Sequence, residues 1–146
     1  MLCVMFESCF FLVAWSSVLC FRFVKSKHMK ANSLEERLVR FASDCVVLQK
    51  YLSTNDAGLY YGKQLIRSAG SAALNYGESQ GAESRRDFGH KLSICLKESR
   101  ESLNNLKIIQ LSNLCANQEL LSNNLKECNE LVSMLVVAVK KVKSLQ

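Results

Sequence analysis

The sequence predicts an all-α protein, an antiparallel up-down-up-down four-helix bundle, and three observations carry that expectation. The 146 residues include no proline and only six glycines. Sheets and their turns draw on both residue types, so their scarcity favours long uninterrupted helices. Beyond Ser33, apolar residues recur at spacings of three and four, the period of a single buried helical stripe. The polar runs separating these stripes are short, which makes sequential helices antiparallel neighbours. A chain of this length has room for one domain with a real core. Residues 29–146 are assigned to the bundle, and residues 1–28 to an apolar N-terminal extension.

Within the extension, "SCFFLVAWSSVLCF" is an uncharged run bounded by Glu7 and Arg22. It is shorter than the roughly 20 residues a helix needs to cross a bilayer. A signal peptide fits poorly, because Glu7 stands where a basic residue belongs and no small-x-small cleavage site follows. The favoured reading is translation starting at Met29, with "MKANSLEERL" as the true beginning; an anchor or signal peptide is the alternative. If made, the extension is an exposed apolar tail, and only then is membrane association expected.

The first helix is expected to start near Leu34, because Ser33 and Glu36 form a capping box. Its buried stripe is Leu38, Phe41, Ala42, Cys45, Leu48 and Leu52, and "STNDAG" ends it. The second helix runs from about Asp56 to Ser79, with Leu59, Gly62, Leu65, Ile66, Ala69, Ala73 and Tyr76 inward. Its middle, "SAGSAALNYG", is rich in small residues that let another backbone approach, and Gly81 suits the position past its end. These glycines do not read as a phosphate cradle, since no strand precedes them and no G-K-[ST] follows.

Ser84 and Asp87 repeat the capping signal, so the third helix starts at Arg85 and extends to about Leu114. Phe88, Leu92, Cys95, Leu96, Ser99, Leu103, Leu106 and Ile109 mark its core face, and Lys97, Arg100 and Glu101 lie on the other side. The turn is placed in "CANQELLSNN". The fourth helix carries Leu121, Leu125, Cys128, Leu131, Val132, Leu135, Ala138, Val139 and Val142, and ends in Lys140, Lys141 and Lys143, cations that suit a helix C-terminus. The valine-rich "MLVVAVKKV" widens its apolar arc, as expected of a subunit interface or of a broader buried face.

Composition then narrows the function classes. The seven cysteines contain no C-x-x-C pair, and Cys45, Cys95, Cys115 and Cys128 fall on apolar stripes, as small core residues do in a reducing cytoplasm. His28 and His90 are the only histidines, and neither has ligand-like spacing, so neither a metal nor another cofactor is expected. The net charge of +6 permits an anionic partner without requiring one. The densest polar cluster, "ALNYGESQGAESRRDFGHKL", falls at the joint between the second and third helices.

The order "LEERLVRFA", then "QLIRSAGSAALNYGESQGAESRRDFGHKLSICLKESRES", resembles the S23 family, four-helix bundle proteins named for open reading frames in intervening sequences of bacterial 23S rRNA genes. The specific part is an R-S-x-x-S then N-[IY]-x-E pattern, here Arg67, Ser68, Ser71, Asn75, Tyr76 and Glu78, followed by Phe88, Leu92, Glu98 and Glu101. Gly77 and Ser79 depart slightly from the family's commoner residues. The resemblance implies a ring-shaped homo-oligomer, typically a pentamer, similar to an accessory bundle of diversity-generating retroelements that binds nucleic acid and a reverse transcriptase. It implies no established enzymatic activity.

Three functions follow as expectations. The first is a non-catalytic oligomer that binds RNA or DNA through Arg67, Arg85, Arg86, Lys91, Lys97, Arg100, Lys140, Lys141 and Lys143, with Asn75, Tyr76, Glu78, Ser84, Asp87 and Phe88 as structural motif. The second is an adaptor that binds a protein partner. The third is a ribonuclease, resting on the R-x4-H spacing of Arg85 and His90, whose second position here is Arg86 where such enzymes carry a small polar residue.

Overall fold

A computed structural model of the chain describes residues 33–144, and the readings of the extension lie outside them. Four helices follow one another: α1 (Leu34–Leu48), α2 (Asp56–Gln80), α3 (Arg85–Leu111) and α4 (Gln118–Lys143), with a 3-10 turn at Gln49–Tyr51 after α1. Each helix packs on the next, and α1 closes against α4. Cross-helix pairs fix the direction: Ser68 of α2 meets Ser102 of α3, whereas Glu78, further along α2, meets Lys91, further back on α3. The same inverse order relates Arg37 and Cys45 of α1 to Glu130 and Asn124 of α4. The arrangement is the expected antiparallel bundle.

Side-chain caps start every helix. Ser33, Asn55, Ser84 and Asn117 each accept a hydrogen bond from the backbone amide three residues on, an arrangement worth about 1 kcal/mol apiece. The core is leucine-rich: Leu38, Phe41, Leu48, Leu65, Leu92, Leu106, Ile109, Leu121, Leu131 and Leu135 are fully buried. Burial of each such side chain stabilises the fold by about 1.5–3 kcal/mol before entropy is counted.

The two turns at one end are tied by backbone. Ser53 N donates to Leu114 O at 2.7 Å and Ala116 N to Tyr51 O at 2.9 Å, which pairs Leu52 with Cys115. The opposite end therefore gathers the start of α1, the α2–α3 joint and the last turn of α4.

Several expectations need correction. Leu59 is 41% exposed, because Gly58 and Gly62 are buried in its place. A Cβ on Gly58 would lie 2.0 Å from the Ser53 carbonyl oxygen, and one on Gly62 2.1 Å from Gln49 Oε1. Close approach to the preceding turn thus occurs at the start of α2, while the expected close packing of its small-residue middle is met by buried Ser68, Ala69 and Ala72, with Ser68 Oγ 2.8 Å from Ser102 Oγ of α3. In the middle, Gly70 has nothing within 4 Å of its Cβ position. Gly81 caps α2 as expected, with a φ of −98°. Helix α3 stops at Leu111, short of Leu114, while the turn falls within the expected segment and α4 begins at Gln118. In α4 the valines divide: Val132, Val136 and Val142 pack on the core, while Val137 is 67% exposed.

Candidate nucleic-acid interface

The polar cluster at the α2–α3 joint resolves first into structure. Ser84 caps α3 by accepting from the Asp87 amide at 3.1 Å, and Tyr76 and Phe88 pack half-buried against the core. Lys91 Nζ donates to Glu78 Oε2 at 2.7 Å and pins α3 to α2; that bond raises the Lys91 pKa. Asn75 does not reach across the corner. Its amide donates back to the Ser71 carbonyl at 2.8 Å within α2.

Cations elsewhere separate into two groups. Arg67 Nη2 bonds Glu101 of α3, and its Nη1 stands 4.0 Å from Glu98, a carboxylate with an 11% exposed side chain. A buried carboxylate needs a nearby cation, so Arg67 is committed to holding α2 on α3. Arg37 does the same for α1 and α4, bonding Glu127 through two nitrogens and Glu130 through one, each at 2.8 Å. The fork geometry makes this the strongest kind of ion pair, and the Glu127 bonds raise the guanidinium pKa.

In the second group Arg86, Lys97, Arg100, Lys140 and Lys143 are exposed, with no ion pair among the described residues. Helical periodicity assigns them a common side. On α3, Glu98, Glu101 and Ser102 face α2, and Ser99, whose carbonyl accepts from Cys128 Sγ, faces α4. Arg86, Lys97 and Arg100 therefore project outward, Arg100 leaning toward α4. On α4, Glu127, Glu130 and Met134 face α1, which turns Lys140 and Lys143 to the α3 side and Lys141 away from it. Lys107 and Lys126, exposed on the same face, complete it. The sequence reading did not name either of them.

Acidic side chains are few on this face, where exposed Glu119 stands two turns before Lys126. Glu98 and Glu101 turn to α2, Glu127 and Glu130 to α1, and Asp87 and Glu119 occupy the first turns of their helices, where anions suit the helix dipole. Arg85 and His90 are both exposed near the start of α3, and the His90 imidazole makes no hydrogen bond there. Among the described residues no group of three or more His, Cys, Asp or Glu side chains is placed to hold a metal ion, and no helix is long and apolar enough to cross a membrane. A cavity of about 460 Å³ lies between α1 and α4, lined by Arg37, Arg40, Phe41, Asp44, Asn123 and Glu127 among others. Two of its polar lining side chains, Arg37 and Glu127, are paired with each other.

Comparison with known proteins adds two likenesses. The family described as 23S rRNA-intervening sequence protein matches residues 32–137. A crystal structure of a protein with unknown function from the S23 ribosomal protein family, from Bacteroides thetaiotaomicron, is similar with a TM-score of 0.67 and 28% identity, over 74% of this chain and 99% of that one. No curated protein matches.

Proposed function

The chain belongs to the 23S rRNA-intervening sequence protein family, and from that premise we propose that it is a non-catalytic homo-oligomeric bundle that binds nucleic acid through the outer face of α3 and α4. The observation that carries this reading is the segregation of charge. Arg86, Lys97, Arg100, Lys107, Lys126, Lys140 and Lys143 share a face that carries Glu119 but from which Glu98, Glu101, Glu127 and Glu130 are turned away. Cations without ion-pair partners are free to replace the counterions of a phosphate backbone, and their release supplies the binding free energy. Arg67 and Lys91 belong to the scaffold, since both would have to abandon a carboxylate to meet phosphate.

Self-association is the second half of the proposal. Val39 and Val46 of α1 and Leu59 and Leu74 of α2 are exposed, and on α2 the same side carries the unfilled position at Gly70. Apolar surface of this kind supports an interface, and a pentamer is the assembly that the family resemblance implies. A protein partner on the same face is the competing reading. The four buried thiols suit a reducing cytoplasm.

The test is anisotropy of labelled RNA and DNA with the full chain across a salt series. Binding should weaken linearly in log salt, by roughly 0.7–0.9 per phosphate contacted. Salt-insensitive binding, or none at low salt, refutes the reading. Retained RNA cleavage that disappears in His90→Ala would instead make the protein a ribonuclease.

A further inference from the structure

Resting on that reading, we infer that the ligand of the α3–α4 face is a double-stranded nucleic acid, held by its phosphates without sequence readout. Three features of the face select a duplex. The first is the lack of a stacking platform. Between Arg85 and Lys143 the sole Phe, Tyr or Trp is Phe88, which is packed against the core. The exposed aromatics Tyr51 and Tyr60 lie before α2 and on it, away from these cations. Proteins that hold single strands gain about 1–3 kcal/mol from each base stacked on an aromatic ring. This face offers a single strand only its charge.

The second feature is charge density. A duplex carries one phosphate per roughly 1.7 Å of axis, about twice the density along one strand, so a row of fixed cations releases more counterions from a duplex. Arg86 and Lys107 are separated along α3 by about 30 Å at the helical rise, close to one duplex turn. Lys126, Lys140 and Lys143 make a second row on α4, roughly 8–10 Å away at ordinary helix spacing. Cations fixed on two packed helices suit a rigid rod, whereas a flexible strand loses conformational entropy to reach them.

The third feature is width. One helix of about 10–12 Å fills a major groove of about 12 Å. Here α3 and α4 lie side by side with their cations directed outward across both, so the pair is too broad to enter a groove. Contact stays on the backbone, and DNA and RNA duplexes of any sequence should bind.

Anisotropy of the full chain at one fixed salt, with duplexes of about 20 base pairs (near two turns) and their separated strands, tests the inference. DNA and RNA arms run in parallel. Expected is duplex affinity about tenfold or more above single-strand affinity, with scrambled duplexes equivalent. Lys97→Gln, Arg100→Gln and Lys107→Gln should each reduce the salt slope by about 1. Lys63→Gln, an exposed cation of α2, should leave the slope unchanged. Single strands bound as tightly as duplexes, or a strong preference among duplex sequences, would overturn the inference while the broader proposal stands. No binding of either form sinks both. The duplex-to-strand ratio is read on the unsubstituted chain and is independent of how any variant folds.

Discussion

Gly58 and Gly70 occupy the same helix and have opposite surroundings. The Cβ of an alanine at Gly58 would fall 2.0 Å from a backbone oxygen, which has no flexible end to move, whereas at Gly70 it would meet nothing within 4 Å. Gly58→Ala should cost about 1–3 kcal/mol, and Gly70→Ala should add about 0.5–1 kcal/mol by restricting the unfolded chain, both read from urea unfolding midpoints. Sequence alone does not separate these two glycines, since the difference lies in what the fold brings against them. Leu59 was misassigned to the core for the same reason: close packing at Gly58 and Gly62 sets the buried arc, and the neighbouring leucine is carried outward. The buried thiols were legible from their periodicity. Burial raises Cys95 and Cys128 from an ordinary 9.0 to about 12 each, and raises Cys45 as well. A raised pKa in the fold means that the stabilisation is complete below about pH 9 and is lost as pH climbs toward about 12. Tyr76, raised by burial, and Lys91, raised by its Glu78 bond, add in the same direction. Urea midpoints should fall steadily above about pH 9, and Cys128→Ala should flatten that fall. A midpoint constant to about pH 11 would contradict thiol burial.

Helix ends were less legible than helix bodies, and α3 shows why. Leu111 and Leu114 continue the apolar spacing, so a periodic reading carries the helix through both. The structure ends it at Leu111, where Asn113 adopts a left-handed φ of 51°. Leu114 N then donates to Ile109 O at 3.0 Å and Asn113 N to Gln110 O at 3.1 Å, the two bonds of a Schellman cap. Leu114 is buried beyond the cap, which accounts for its apolar character without a helix. Asparagine tolerates this conformation better than other residues with a side chain, but glycine tolerates it best. Asn113→Gly should therefore raise stability by up to about 1 kcal/mol, and Asn113→Val should lower it by about 1–2 kcal/mol. Calorimetric melting temperatures moving in the same direction for both would rule out the cap as the controlling feature. The start of α4 was hidden differently. "QELLSNN" is polar on its exposed side, and only the cap at Asn117 with Leu121 and Asn124 inward marks it as helix.

At the scale of the whole molecule, the antiparallel register decides which charges remain available. Arg67 and Glu101 are far apart in sequence, as are Arg37 and Glu127, and no local pattern pairs them. The bundle brings them together, withdraws two arginines into its α2–α3 and α1–α4 sides, and leaves exposed cations on α3–α4, with Leu111 and Val137 exposed among them, while Val39, Val46, Leu59 and Leu74 are exposed on α1–α2. A positively charged protein that associated through α3–α4 would juxtapose like charges, which opposes binding. Self-association through α1–α2 avoids that repulsion and keeps every basic face outward. Val39 is 55% exposed and Val46 50%, so Val39→Lys and Val46→Lys should alter protomer stability by no more than about 0.5 kcal/mol. Both should nevertheless convert the proposed oligomer to monomer in native mass spectra, with helicity by circular dichroism retained. Lys97→Gln and Arg100→Gln should leave the oligomer mass unchanged while weakening nucleic-acid binding. The opposite outcome, intact oligomers with Val46→Lys but monomers with Val137→Lys, would move the interface to α4. The α1–α2 face would then be left for a different protein partner.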